Sequence, residues 1–113
     1  MSNEYSVIEW DGEGYPTEES LKKLEEAIEN SPFPEREKYF YAALGENIYI
    51  NLYPPKTKVE VRGEPTDVIQ YHTNGWSGNE AIINTLSKSF LFDFLLERYD
   101  KGGHYYFQAP KGE

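Results

Sequence analysis

The chain has no cysteine among its 113 residues. That excludes disulfides and thiolate metal sites and fits a reducing cytosol. Histidine is scarce: His72 and His104 are the only two, and their spacing, even with Glu80 or Asp93 added, matches no metal-ligand motif. No metal and no cofactor are therefore expected. Basic residues are few, 11 Lys and Arg against 20 Asp and Glu, for a net charge of -9. A surface that grips duplex nucleic acid by its phosphates needs a surplus of cations, so duplex nucleic acid is not an expected partner. No apolar run approaches the roughly 20 residues that span a bilayer. The start, M-S-N-E-Y-S-V-I-E-W, lacks the basic and apolar stretches of a signal peptide. Neither membrane nor export is expected.

Aromatic side chains are abundant instead, with 10 Tyr, 6 Phe and 2 Trp. Disordered chains are poor in such residues, so a folded domain is expected, its core built from rings as much as from aliphatics. The length suits a single domain, 1–113. The acidic surface suits solvation, or a basic partner.

Taken in order, Tyr5 to Trp10 offers a short strand or ordered arm, and the acidic, glycine-bearing 11–15 a turn. Thr17 is placed to cap a first helix, with Glu18 and Glu19 favourable in its first turn. Leu21, Leu24, Ala27 and Ile28 repeat at helical spacing, and Asn30-Ser31-Pro32 ends the run. Over 34–44 a helix entered at Pro34 and stopped at Gly45 is favoured over a hairpin, with a strand across 48–52. Two alternating runs, 57–62 and 67–73, joined by a turn at 63–66, read as an antiparallel hairpin. Ile82, Ile83, Leu86, Phe90, Phe94 and Leu95, widened by Leu91, Phe92 and Leu96, predict one long buried helix over about 78–99. Gly102 would take its left-handed cap, and 104–108 would be a final strand beside the hairpin. The fold class is then α+β: a small antiparallel sheet (hairpin 57–73 plus strand 104–108) packed by the long helix, with one or two N-terminal helices.

The chemistry-bearing stretch is Y-H-T-N-G-W-S-G-N-E, 71–80, with its counterpart G-G-H-Y-Y-F, 102–107. Ser77 is expected to cap the helix, with Glu80 reaching back to it. Gly75 and Gly78 would turn the backbone and leave its N–H groups facing an anion at the helix start. Trp76 offers a stacking surface for a base, and Asn79 a donor and an acceptor. His72 and His104 would flank them, Tyr106 would line the rest with Tyr71 and Tyr105, and Arg98 and Arg62 are candidate counter-charges. Each glycine and ring also has a plain structural explanation as a turn or a core plug. Gly75-Trp76-Ser77-Gly78-Asn79 is similar to a hydrolase nucleophile elbow, but that elbow needs glycine where Asn79 stands.

Y-P-T-E-E-S-L (15–21), V-E-V-R-G-E (59–64) and the two blocks just named occur in one order. In this the chain resembles a family of small proteins, encoded largely by bacteriophages and usually without an assigned function. The family shows Gly-Gly-Trp where this chain has Asn74-Gly75-Trp76. The resemblance implies an accessory role in the cytoplasm of an infected bacterium. Three readings follow, leaning against an enzyme. The first is a phage anti-defence protein that sequesters a small phosphorylated nucleotide at the two glycine turns. The second is an acidic inhibitor docked on a host or defence protein. The weakest is a small hydrolase or phosphodiesterase using Ser77, His72 and His104. A homo-oligomer stays open.

Overall fold

The structure, a computed structural model, describes residues 4–46, 56–73 and 75–110. The strand expected across 48–52 lies outside them. Elements follow in the order α1 (Glu18–Asn30), α2 (Phe33–Leu44), β1 (Lys56–Val61), β2 (Glu64–His72), α3 (Ser77–Leu86), α4 (Phe90–Leu95), β3 (Leu96–Asp100) and β4 (His104–Gln108). The class is α+β: a four-stranded antiparallel sheet ordered β1-β2-β4-β3, with the helices on one face. None of the described helices is long and apolar enough to cross a membrane.

The N-terminal half forms as its local signals dictate. Thr17 accepts from the Ser20 N–H at 3.1 Å and caps α1. α1 buries Leu24 and Ile28, and its charged face stays in water. α2 takes Pro34 in its first turn, where the missing N–H costs nothing, and buries Phe40, Ala43 and Leu44. Tyr5 to Trp10 is an arm rather than a strand. Ile8 is buried, Trp10 bridges to Pro16, and the Trp10 indole donates to Glu46 at 3.2 Å.

The hairpin turn is tighter than the expected 63–66. Val61 pairs with Glu64, and only Arg62 (φ 51°) and Gly63 (φ 83°) connect the strands. A two-residue connection with both φ positive matches the twist of the strands it joins. Glu64 and Pro65 therefore belong to β2. Pro65 is tolerated because β2 overhangs β4 there: their pairing begins at Val68.

The single helix over 78–99 is corrected most. α3 ends at Leu86, with Ser87 as its cap. Ser89 then starts α4, its hydroxyl accepting from the Leu91 N–H at 3.0 Å. At Leu96 the chain turns into β3, which pairs with β4 through Tyr99↔Tyr105 and Asp100↔His104 after an irregularity at Leu96/Arg98. Gly102 (φ 102°) and Gly103 (φ 84°) thus make a hairpin turn, not a helix cap. The restart also changes which rings are buried. α4 buries Leu91 and Leu95, at 0% and 2% exposure, whereas Phe90 and Phe94 stand 54% and 61% exposed. Residues four apart share a face, and the two pairs are offset by one residue, so the leucines and the phenylalanines lie on different faces of one helix.

Paired residues of neighbouring strands share a face. Ile69, Phe107, Tyr71 and Tyr105 face the helices, where Phe107 meets Phe40 edge-on at 5.2 Å and Phe92 at 5.4 Å. The opposite face carries Val68, Gln70, Tyr106, His72 and His104. The Arg98 guanidinium, on one outer strand, donates to the Glu60 carbonyl on the other at 2.9 Å. The twisted sheet therefore curls over this face, which accounts for the complete burial of Val68 away from the helices.

Leu95→Ala should cost about 2–4 kcal/mol of unfolding free energy, as expected of a buried leucine, while Phe94→Ala should stay within about 0.5 kcal/mol, as expected at an exposed position. Urea denaturation of both variants checks this. Equal losses would restore the continuous buried helix.

Candidate functional site

The two glycine corners are in contact. The Thr73 N–H donates to the Gly103 carbonyl at 3.0 Å, and the Trp76 N–H to the Thr73 carbonyl at 2.9 Å. Gly103 is required here: a Cβ would lie 2.1 Å from the Thr73 hydroxyl, on a backbone with positive φ. His72 and His104 face each other across β2 and β4, Nδ1 to Nδ1 at 2.6 Å, and His72 Nε2 lies 2.7 Å from Gln70 Oε1. Since Oε1 only accepts, His72 carries its proton on Nε2, and His104 donates its Nδ1–H to the unprotonated Nδ1 of His72. Tyr106 meets the His72 ring edge-on. Burial chiefly, and the His104 ring after it, push the His72 pKa down from 6.5, with Asp100 acting the other way.

Arg98, Trp76 and Asn79 go to structural tasks. Arg98 donates to both carboxylate oxygens of Asp100, at 2.9 and 3.1 Å, and lies 5.7 Å over the Tyr106 ring. It is not the free counter-charge expected. Arg62 sits at the hairpin tip, at the opposite end of β2 from His72. Trp76 is no open platform: Tyr15 stacks on it at 5.1 Å and 11°. Gly14 approaches the ring, and a Cβ on Gly78 would fall 2.5 Å from its Nε1. That nitrogen is sealed from solvent with no hydrogen-bond partner among the described residues. Trp76 itself is the residue before α3 and supplies no side-chain cap, so the Ser77–Glu80 capping box does not form. Ser77 and Glu80 are exposed on the first turn. Asn79 is buried, its side-chain amide donating to the Thr73 carbonyl at 3.4 Å while its backbone carbonyl accepts from the Tyr71 hydroxyl at 3.1 Å. It locks the corner to β2 and presents nothing to a base edge.

No hydrogen bond joins Ser77 to either histidine among the described residues, and no group of three His, Asp or Glu there could hold a metal ion. The elbow reading finds no supporting geometry.

A different surface emerges at the restarted helix. Phe33 and Phe90 are 5.8 Å apart between ring centres, and Phe94 lies one turn beyond Phe90. All are largely solvent-exposed, Phe33 at 45%. Arg36 holds this ridge, donating to the carbonyls of Ser31 and Glu29 while its guanidinium lies 5.8 Å over Phe90. On one side opens a groove of about 770 Å³ lined by Phe33, Pro34, Glu37, Tyr41, Ala42 and Phe94, among others. A smaller hollow of about 230 Å³ lies on the other, between Ile28, Arg36, Lys88 and Phe90. The Ser87-Lys88-Ser89 interruption was the available sequence signal: serines of this kind break a helix and cap the next.

No family model matches this chain, and no curated protein or solved structure is detectably similar to it.

Two outcomes test the corner. Because His72 is hard to protonate in the folded state, the unfolded chain binds more protons below the ordinary imidazole range. Stability should be full above that range and fall as pH drops through it; His72→Gln should flatten the slope in pH-dependent urea melts. Trp76→Ala, which empties the space between Gly14, Tyr15 and Gly78, should cost at least about 2 kcal/mol. A variant as stable as the wild type would show that the ring is not a structural plug.

Proposed function

We propose that this chain is a non-enzymatic binding protein that docks on another protein through its Phe33–Phe90–Phe94 face and acts by covering the partner's surface. The exposed aromatic ridge between two hollows carries the reading. Monomeric proteins rarely leave several large rings together in water, and such patches mark interaction sites. Rings are also the residues that anchor interfaces. The net charge of -9 favours a partner with a basic surface and would speed its encounter. If the resemblance to small phage proteins holds, the partner is a host or defence protein in an infected cell.

The nucleotide-sequestration reading keeps one specific support: the corners at Thr73 and Gly103 do meet, beside two histidines in contact. Against it, Tyr15 already stacks on one face of Trp76.

Immobilised wild-type protein should retain a partner from infected-host lysate, and Phe33→Ser/Phe94→Ser should lose it at least tenfold with an unchanged melting temperature. Retention by the double variant would exclude this face. Cyclic and linear nucleotides at millimolar concentration should leave the melting temperature unmoved. A rise of several degrees would instead favour sequestration, since ligands of the native state raise the midpoint.

A further inference from the structure

The larger groove has a direction. Phe33, Glu37 and Tyr41, with Pro34, Lys38 and Ala42 beside them, recur every four residues, so its wall follows one face of α2. Over these positions the helix advances about 13 Å, at 1.5 Å per residue. Phe94 and Leu95 of α4 form the facing wall. The far end is closed by Gln108 to Pro110, where the Tyr41 hydroxyl already occupies the Gln108 carbonyl. The strand leading there, β4, is paired on both sides as far as Phe107, and Gln108 pairs with Val68 of β2 alone. The groove is therefore walled mainly by side chains, and the only strand backbone it meets is the short Gln108 end, whose carbonyl Tyr41 already takes. An extended segment laid in it would bury backbone N–H and C=O groups without partners, at a cost. A helix satisfies its own backbone and brings only side chains.

Charge narrows the choice further. Near the ridge, Arg36 is engaged by carbonyls and by Phe90, Lys88 pairs with Glu25 at 3.5 Å, and Lys38 lies 5.3 Å from the Tyr5 ring. Glu37 on the groove and the exposed Asp93 beside Phe94 have no ion-pair partner among the described residues. Lys38, which also lines the groove, has no ion-pair partner among the described residues either, so Glu37 and Asp93 leave a small negative excess near Phe94.

Resting on the docking role proposed above, we infer that the α2–α4 groove receives an amphipathic helix of the partner protein, with apolar residues spaced three and four apart and lysines or arginines flanking them. The apolar stripe seats between Phe33 and Phe94, and the flanking cations meet Glu37 and Asp93.

The test is to pan a random library of displayed peptides, about four helical turns long, on the wild-type protein, with counter-selection on Phe94→Ser. Enriched peptides should repeat apolar residues at three and four, carry net positive charge, and bind at least tenfold more weakly to Glu37→Lys/Asp93→Lys. Phe94-dependent peptides with alternating apolar residues, with net negative charge, or indifferent to the charge reversal would overturn the helical, basic partner while leaving the docking role standing. A Phe94-dependent dimer at micromolar concentration would make a second copy the occupant and overturn it too. Failure to enrich any Phe94-dependent peptide would overturn the docking role itself.

Discussion

The pairing of β2 with β4 is the contact on which the rest of this structure depends. Chain segments more than thirty residues apart meet there, from Val68↔Gln108 to His72↔His104. On the helix side the pairing aligns Ile69, Tyr71, Tyr105 and Phe107 into the floor on which Phe40, Phe92 and the aliphatic residues of α3 and α4 pack. The loop-closure entropy of joining such distant segments is offset by this burial and by the ladder's hydrogen bonds, not by either alone. Without β4 in place, β3 would have no strand to pair with.

The end of that pairing is tightly specified. Gly103 must be glycine for Thr73 to approach, Asn79 is consumed by backbone groups, and the indole of Trp76 is wedged between Tyr15 and two glycines. Residues that together suggest a ligand site are largely occupied by one another. Fixing a sharp corner and coordinating a small ligand draw on the same residue types, namely glycines, an amide, an aromatic and histidines, because both need close approach and directional hydrogen bonds. The histidine pair shows the same economy: His104 donates to His72, and His72 is in turn held by Gln70.

The surface left unsatisfied lies where the helix breaks. Had α3 continued in phase, Phe90 and Phe94 would have extended the buried stripe. The restart at Ser89 rotates α4 so that Leu91 and Leu95 take the core and the phenylalanines face water, beside Phe33 at the start of α2. Leaving three large rings about half exposed forgoes burial worth roughly 1 kcal/mol for each, about half of what full burial contributes, a cost that a partner's surface would offset.

By itself the sequence determined the α+β class, α1 with its Thr17 cap, a helix over 34–44 favoured above a hairpin, the antiparallel hairpin and the placement of the last strand beside it. These follow from short-range rules: capping, hydrophobic period, and glycine or proline punctuation act within a few residues and are written in order along the chain. Only the tertiary structure decided that 90–95 is a separate helix followed by a strand, that Tyr15 covers Trp76, that Arg98 belongs to Asp100, and that Phe33 and Phe94 share a groove. An apolar run such as F-L-F-D-F-L-L carries more than one possible burial phase. Which phase is used depends on what packs against it, and the deciding surfaces, α2 and β4, come from distant parts of the chain.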